Sequence, residues 1–300
     1  MTGRARWVVV GLVAVVLVAS GCADDDPVDR MREAIAERAA DPAFELTTTV
    51  PGGDDGRPGD GEDVPDDPFV SFHTGPEVTD DQYEAVRRAV LLVRIEMAML
   101  DPIDVVIGTR PEDLGLDPDV DDVVVVDPSS LASGGTSSEE VFVAAARETA
   151  LLAQEVASRG AVLPGEPGLP DESRTVPPHW LSVGQAEVLA WQLAREYDEL
   201  EVEWDERRSG IVALAAATDL PLEAFEVDVP DGLDPETARA LAHLAVEYLA
   251  SGVEPHVLHR DLWPAIVAEG WEVAFSRSVE MSVEEFYAAF AGWRADGFPG

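Results

Sequence analysis

The stretch Ser137 to Arg159, SSEEVFVAAARETALLAQEVASR, decides how the chain is read. Ser137 with Glu140 three residues later forms a capping box that predicts a helix start, and Gly160 predicts its stop. Val141, Ala144, Ala145, Leu151 and Leu152 recur at helical spacing, which gives this helix an apolar face. Two acids, Glu148 and Glu155, fall in or beside that face. The residues before this helix read as an approach to it, and the residues after it read as helices wrapped around it.

At the far N-terminal side, Arg4 and Arg6 precede an apolar run from Trp7 to Val18, followed by Ala19-Ser20-Gly21-Cys22 and the acids Asp24 to Asp26. The run is too short for a membrane span and reads as an export signal. The small residues before the only cysteine resemble a bacterial lipobox, although position 19 is Ala where Leu is more usual. That resemblance implies a signal peptide over residues 1–21 and a partner in the lipid bilayer, held through an acylated Cys22. It places the protein at the extracytoplasmic face of the cell membrane, in an envelope of the Gram-positive type. The alternative is an ordinary secretory signal with an incidental cysteine. With Cys22 acylated, no thiol remains for a disulfide or a cysteine-ligated metal.

The chain carries 60 Asp and Glu against 20 basic residues, for a formal net charge of -40, and every cation is arginine. Such a surface repels phosphate backbones, which excludes nucleic acid as an expected partner and excludes docking on anionic lipid through basic patches. An acid-rich, lysine-free composition suits a saline medium, where salt screens self-repulsion, or reflects coding bias together with solubility.

Residues 22–67 read as an acidic tether, with a short helix after Asp26-Pro27 and a Gly/Pro/Asp stretch, VPGGDDGRPGDGEDVPDD, that has little to bury. One domain is expected over residues 68–300. Phe69 to His73 predicts a strand, and Thr79 with Gln82 opens a helix to about Leu100. Ile103 to Gly108 and Val123 to Val126 predict two further strands, with an acidic turn after Pro111 between them. Gly160 to Pro178 holds five prolines and reads as a surface loop. Ser182 with Gln185 predicts a second capped helix to about Tyr197, followed by a polar stretch from Glu199 to Arg208 and a helix near Ile211 to Ala217. Helices are expected from Asp234-Pro235 to Gly252, from Glu254-Pro255 with an interruption at Pro264, and from Ser282 with Glu285. In the last of these, Phe286, Phe290 and Trp293 share a face. The expected fold class is α+β: a small mixed or antiparallel sheet followed by a mainly helical half.

This order of elements, with the run Val176-Pro-Pro-His-Trp-Leu-Ser-Val-Gly-Gln-Ala-Glu-Val-Leu-Ala190 after the central helix and Gly270 to Phe286 near the end, resembles the gluzincin zinc metallopeptidases. Within them it is similar to the small peptidase-MA-like domains related to aminopeptidase N, over roughly Phe69 to Gly297. The resemblance implies a metallopeptidase fold. The family binds zinc through two histidines one helical turn apart and a carboxylate from the next helix, with a glutamate as general base and an open fourth position. By that resemblance Arg147 and Leu151 stand at the histidine positions, Val183 at the third-ligand position and Glu148 at the general-base position. Arg cannot give up its proton to become a ligand, and Leu and Val have no lone pair, so zinc is expected to be lost and no cofactor is expected. Glu187 matches an acid that, in the family, orients a zinc-bound imidazole from behind. Arg147 is therefore expected to pair with Glu187, with Glu148 or with both.

The five histidines offer no substitute site. His256 and His259 share a helical turn without a third placed ligand, and His179, between Pro178 and Trp180, reads as structural. Ser182 reads as a helix cap and not as a nucleophile. The sequence thus points to an inactive metallopeptidase-like domain that binds or scaffolds, with a peptide or protein held in a cleft beside the strand Val123 to Val126. The alternative is a hydrolase built on Glu148 and His179.

Overall fold

Thr79 accepts a hydrogen bond from the Gln82 amide at 3.2 Å, and the Gln82 side chain accepts from the Thr79 amide at 3.0 Å. This capping box opens α1, Asp80–Glu96, in a computed structural model that describes residues 69–99, 101–116, 122–130, 137–159, 177–253 and 257–299. The expected signal segment, Cys22, the tether, Gly160, most of the proline loop and His256 lie outside the described residues. Helix α1 ends at Glu96 and stops short of Leu100. Ala98 takes a left-handed φ of 52°, and the buried Arg94 donates to the Asp101 carbonyl at 2.7 Å, which turns the chain toward the next strand.

Helix α1 connects β1, Val70–Thr74, to β2, Ile103–Ile107, and β3, Val123–Val126, comes after a short helical turn at Pro111–Leu114. The strand order is β1-β2-β3 with both pairs parallel, in register Val70 with Ile103 and Asp104 with Val123. This corrects the expectation of a mixed or antiparallel sheet. Neighbouring strands joined by a crossover through α1, and then by a connection that carries its own helical turn, return in the same direction; a tight hairpin would have reversed them. His73 on β1 and Asp104 on β2, diagonal across the pair, are joined at 2.8 Å.

The central helix α2 spans Ser138–Arg159, with the Glu140 amide donating to the Ser137 hydroxyl at 3.2 Å. It packs against α1, β3 and the next helix α3, His179–Glu196. Ala186, Leu189, Ala190, Leu193 and Ala194 of α3 join the core around the sheet, whereas Trp180, Leu181 and Val188 join the core of the helical half. Helix α3 is therefore the seam between two apolar clusters. Leu181 and Leu189 are almost fully buried, and each such side chain contributes roughly 1.5–3 kcal/mol.

Ser182 and Gln185 do not cap α3, which begins at His179 behind Pro178. Gln185 is buried instead, donating to the Leu258 carbonyl at 3.0 Å and accepting from the Trp263 indole at 2.7 Å. The Ser182 carbonyl accepts from Gln154 on α2 at 3.2 Å. The local pattern was a capping pattern, but distant partners on the helical half took its polar groups.

Helices α4, Trp204–Ala215, α5, Pro235–Ala250, α6, Leu262–Glu269, α7, Trp271–Val279, and α8, Val283–Ala295, complete the helical half. Helix α4 begins well before Ile211, inside the polar stretch from Glu199 to Arg208. Its Arg207 and Arg208 reach Glu139 and Glu247, so this part of the helix is held by ion pairs and not by an apolar stripe. Asp234 caps α5 by accepting from the Thr237 amide at 2.9 Å, and Ser282 with Glu285 form the expected capping box of α8. Pro264 lies in the first turn of α6, after a wide turn at Val257–Asp261, and does not interrupt the helix. Among the described residues, no helix is long and apolar enough to cross a membrane.

Candidate functional site

Helix α2 turns Arg147, Glu148 and Leu151 toward the N-terminal half of α3, where Val183 and Glu187 lie one turn apart. Arg147 Nε donates to Glu148 Oε1 at 3.1 Å, and Arg147 Nη1 donates to Glu187 Oε1 at 3.1 Å. Both expected pairings are therefore formed, with one guanidinium spanning two carboxylates. Arg147 and Glu187 are mostly enclosed, at 16% and 8% side-chain exposure, while Glu148 retains 39%. Burial works against the charge of Arg147, but the Glu187 and Glu148 carboxylates outweigh it and hold the guanidinium above the ordinary arginine range. Arg239 of α5 approaches the same Glu187 oxygen at 3.7 Å.

A cavity of about 190 Å³ lies against this group. Arg147, Glu148, Leu151 and Val183, the positions singled out by the motif, all border it, and His179 borders it as well. Its far wall comes from Phe225, Val229 and α5. At the positions that the resemblance assigns to zinc ligands stand a guanidinium and two aliphatic side chains, which offer a metal no lone pair, and the Glu148 carboxylate beside them is engaged by Arg147. Among the described residues, no hydrogen bond joins Glu148 to His179, and no group of three or more His, Cys, Asp or Glu converges as a metal site.

No residue of β3 borders the cavity, so the expected peptide cleft beside Val123 to Val126 is not the space that Glu148 faces. Trp180 is fully buried. It stacks on Phe286 at 5.2 Å, and its indole donates to the Tyr287 hydroxyl at 3.1 Å. Tyr287 in turn donates to Glu226 at 2.7 Å, and burial together with that acid pushes its hydroxyl pKa well up. His259 is buried, and His256 lies outside the described residues.

A larger cleft, about 600 Å³, is bordered by Arg147, Glu187 and Arg239 as well. Arg207, Trp191, Arg239 and His243 border it, and none of the four was singled out from the sequence. Arg239 follows Glu236 by three residues and reads as a solvated helix pair, which it also is, with Nη2 bonded to Glu236. Arg207 sits in a run of charge that carries no periodic signal. Its guanidinium lies 4.9 Å from the Trp191 ring and pairs with Glu139, a first-turn acid of α2 that is completely buried. Compared with family models, curated proteins and solved structures, the chain has no match.

Proposed function

We propose that residues 68–300 form a gluzincin-type, peptidase-MA-like domain in which an internal ion pair has replaced the metal site, and that the domain binds or scaffolds a peptide or protein ligand and does not hydrolyse it. The observation that carries this reading is that Arg147, Glu148, Leu151 and Val183, which lie up to 36 residues apart in the chain, border one cavity. Arg147, Glu148 and Leu151 share one turn of α2, so the meeting of Val183 on α3 with them is the part that the motif reading required and helical periodicity alone does not supply. The acidic tether and the lipobox-like segment support presentation of the domain from a lipid bilayer through acylated Cys22, at the extracytoplasmic face.

Restoring the ligands tests the reading. The triple variant Arg147→His, Leu151→His, Val183→Glu is expected to take up zinc one to one, whereas the wild-type domain is expected to take up none. A triple variant that folds yet binds no zinc would sink the proposal, because the positions would then lack metallopeptidase geometry. Incubation with a mixed peptide library decides the second reading, which is favoured by the shared border of Glu148 and His179. Wild-type cleavage that Glu148→Gln abolishes would establish a hydrolase on those two residues.

A further inference from the structure

The larger cleft has features of a ligand site that the ion-pair group beside it does not explain. Its volume, about 600 Å³, falls in the range of small-molecule pockets. Apolar wall comes from Val143 and Ala144 on α2, Ile211 and Leu214 on α4, Ala240 on α5 and the Trp191 ring on α3. Helix α4 also places Gly210 on this wall, and a Cβ built there meets no atom within 4 Å. Gly210 is exposed on this border, so a side chain placed there meets no neighbouring atom.

Polar groups with unused donors converge on the same space. Arg207, whose side chain is 31% exposed, commits Nη2 to Glu139 and leaves part of its guanidinium fork without an acceptor. Arg147 and Arg239 border the cleft too, and each leaves part of its guanidinium fork uncommitted by Glu148, Glu187 and Glu236.

We infer that this cleft binds an apolar molecule carrying a single carboxylate, with the carboxylate on Arg207 and Arg239 and the apolar body against Trp191, Ile211 and Leu214. A carboxylate matches the guanidinium fork. A single charge fits because Glu140 and Glu236 border the cleft and the whole chain, at -40, opposes dense anions such as phosphates. The chemistry is shared by a free organic acid and by the C-terminal residue of a peptide. The inference stands apart from the lost-metal reading, since the two cavities share only Arg147 and Arg239.

Phenylpropionate titrated into the isotope-labelled domain is the test, with the Trp191 indole and Arg207 Nε–H resonances followed by NMR. Saturable shifts at both groups are expected, with phenylpropionamide at least about tenfold weaker. Gly210→Phe is expected to abolish binding while melting like the wild type, and Arg239→Gln to weaken it about tenfold. Should Gly210→Phe fail to fold, Ala213→Trp on the exposed border of the cleft serves as the blocker. An N-acetylated dipeptide ending in phenylalanine, tried as acid and as amide, separates the sources. Tighter binding than phenylpropionate identifies a chain terminus, and equal or weaker binding identifies a free acid. The inference is overturned if neither acid shifts Trp191, if the amides bind as well as the acids, or if a folded blocking variant binds as the wild type does.

Discussion

Arg147 on α2 donates to Glu187 on α3 at 3.1 Å across 40 residues of sequence, and the same guanidinium reaches Glu148 at 3.1 Å. One residue thereby ties the central helix to its neighbour with two charge-assisted bonds. The Glu187 half is nearly dry, because its carboxylate is only 8% exposed. A buried pair of this kind adds little over an apolar contact, but breaking it strands the remaining charge.

Arg147→Met is therefore expected to cost about 3 kcal/mol, since Glu187 would keep only the longer contact from Arg239. Adding Glu187→Met to that variant is expected to recover at least about 1 kcal/mol. Chemical denaturation of the two single variants and the double variant checks this, and additive losses would show that the two residues do not act as a pair.

The same substitution at two glycines is expected to act with opposite sign. At Gly184 on α3, a Cβ would stand 2.2 Å from the Ala242 carbonyl oxygen and 2.7 Å from Val246 Cγ2, both on α5. Gly184→Ala should lose about 1–3 kcal/mol by forcing the two helices apart. Gly210→Ala, which meets open space within α4, should gain about 0.5–1 kcal/mol. Thermal melts of both variants decide it; a Gly184→Ala variant that melts like the wild type would mean that α3 and α5 shift freely.

Glu139 is completely buried and is held by Arg207 and the Glu201 amide. Arg207→Met leaves that carboxylate without its cation, at an expected cost of about 3–5 kcal/mol. Glu139→Gln should cost less, because its amide oxygen can still accept from Glu201. The difference between the two variants should persist in molar salt, which screens exposed pairs far more than buried ones. Its disappearance in salt would place Glu139 at the surface.

Glu247 faces Arg208 at 2.7 Å and His243 at 3.6 Å. Burial would raise its pKa, but the nearby His243 and the bond and charge of Arg208 outweigh burial and hold the carboxyl below the ordinary range. A folded pKa below the unfolded one means that this stabilisation is fully present above the unfolded value. It is lost as pH falls through the folded value. The stability gap between wild type and Glu247→Gln, about 1–3 kcal/mol at neutral pH, should therefore narrow once the pH drops below about 4. Urea titrations of both proteins at neutral and acid pH measure the gap, and a gap that is constant or widens in acid would refute the assignment.

Helix starts written in adjacent residues were legible without the fold. Thr79 with Gln82, Asp234 before Pro235, and Ser282 with Glu285 each cap the helix they announce, because both halves of a cap lie within one turn. The strand positions were legible for a related reason: short β-branched runs such as Val123–Val126 and Ile103–Ile107 favour extended backbone wherever they sit. The ion pair of Arg147 was legible only as a choice of partners, and the tertiary structure supplied both at once.

Sequence alone therefore determined the kind of most local elements, though not the separate helix Trp271–Val279, together with the acidic composition and the absence of metal-ligating side chains at residues 147, 151 and 183, since these depend on residue type and near neighbours. Tertiary structure decided the parallel direction of the sheet, the early start of α4 and the burial of Gln185, where the Ser182–Gln185 pattern had promised a cap. It also decided the meeting of Arg207, Trp191, Arg239 and His243 around one cleft. Each of these depends on a partner far along the chain, and a polar side chain is satisfied by whichever partner packing brings within reach, whatever its sequence neighbours offer.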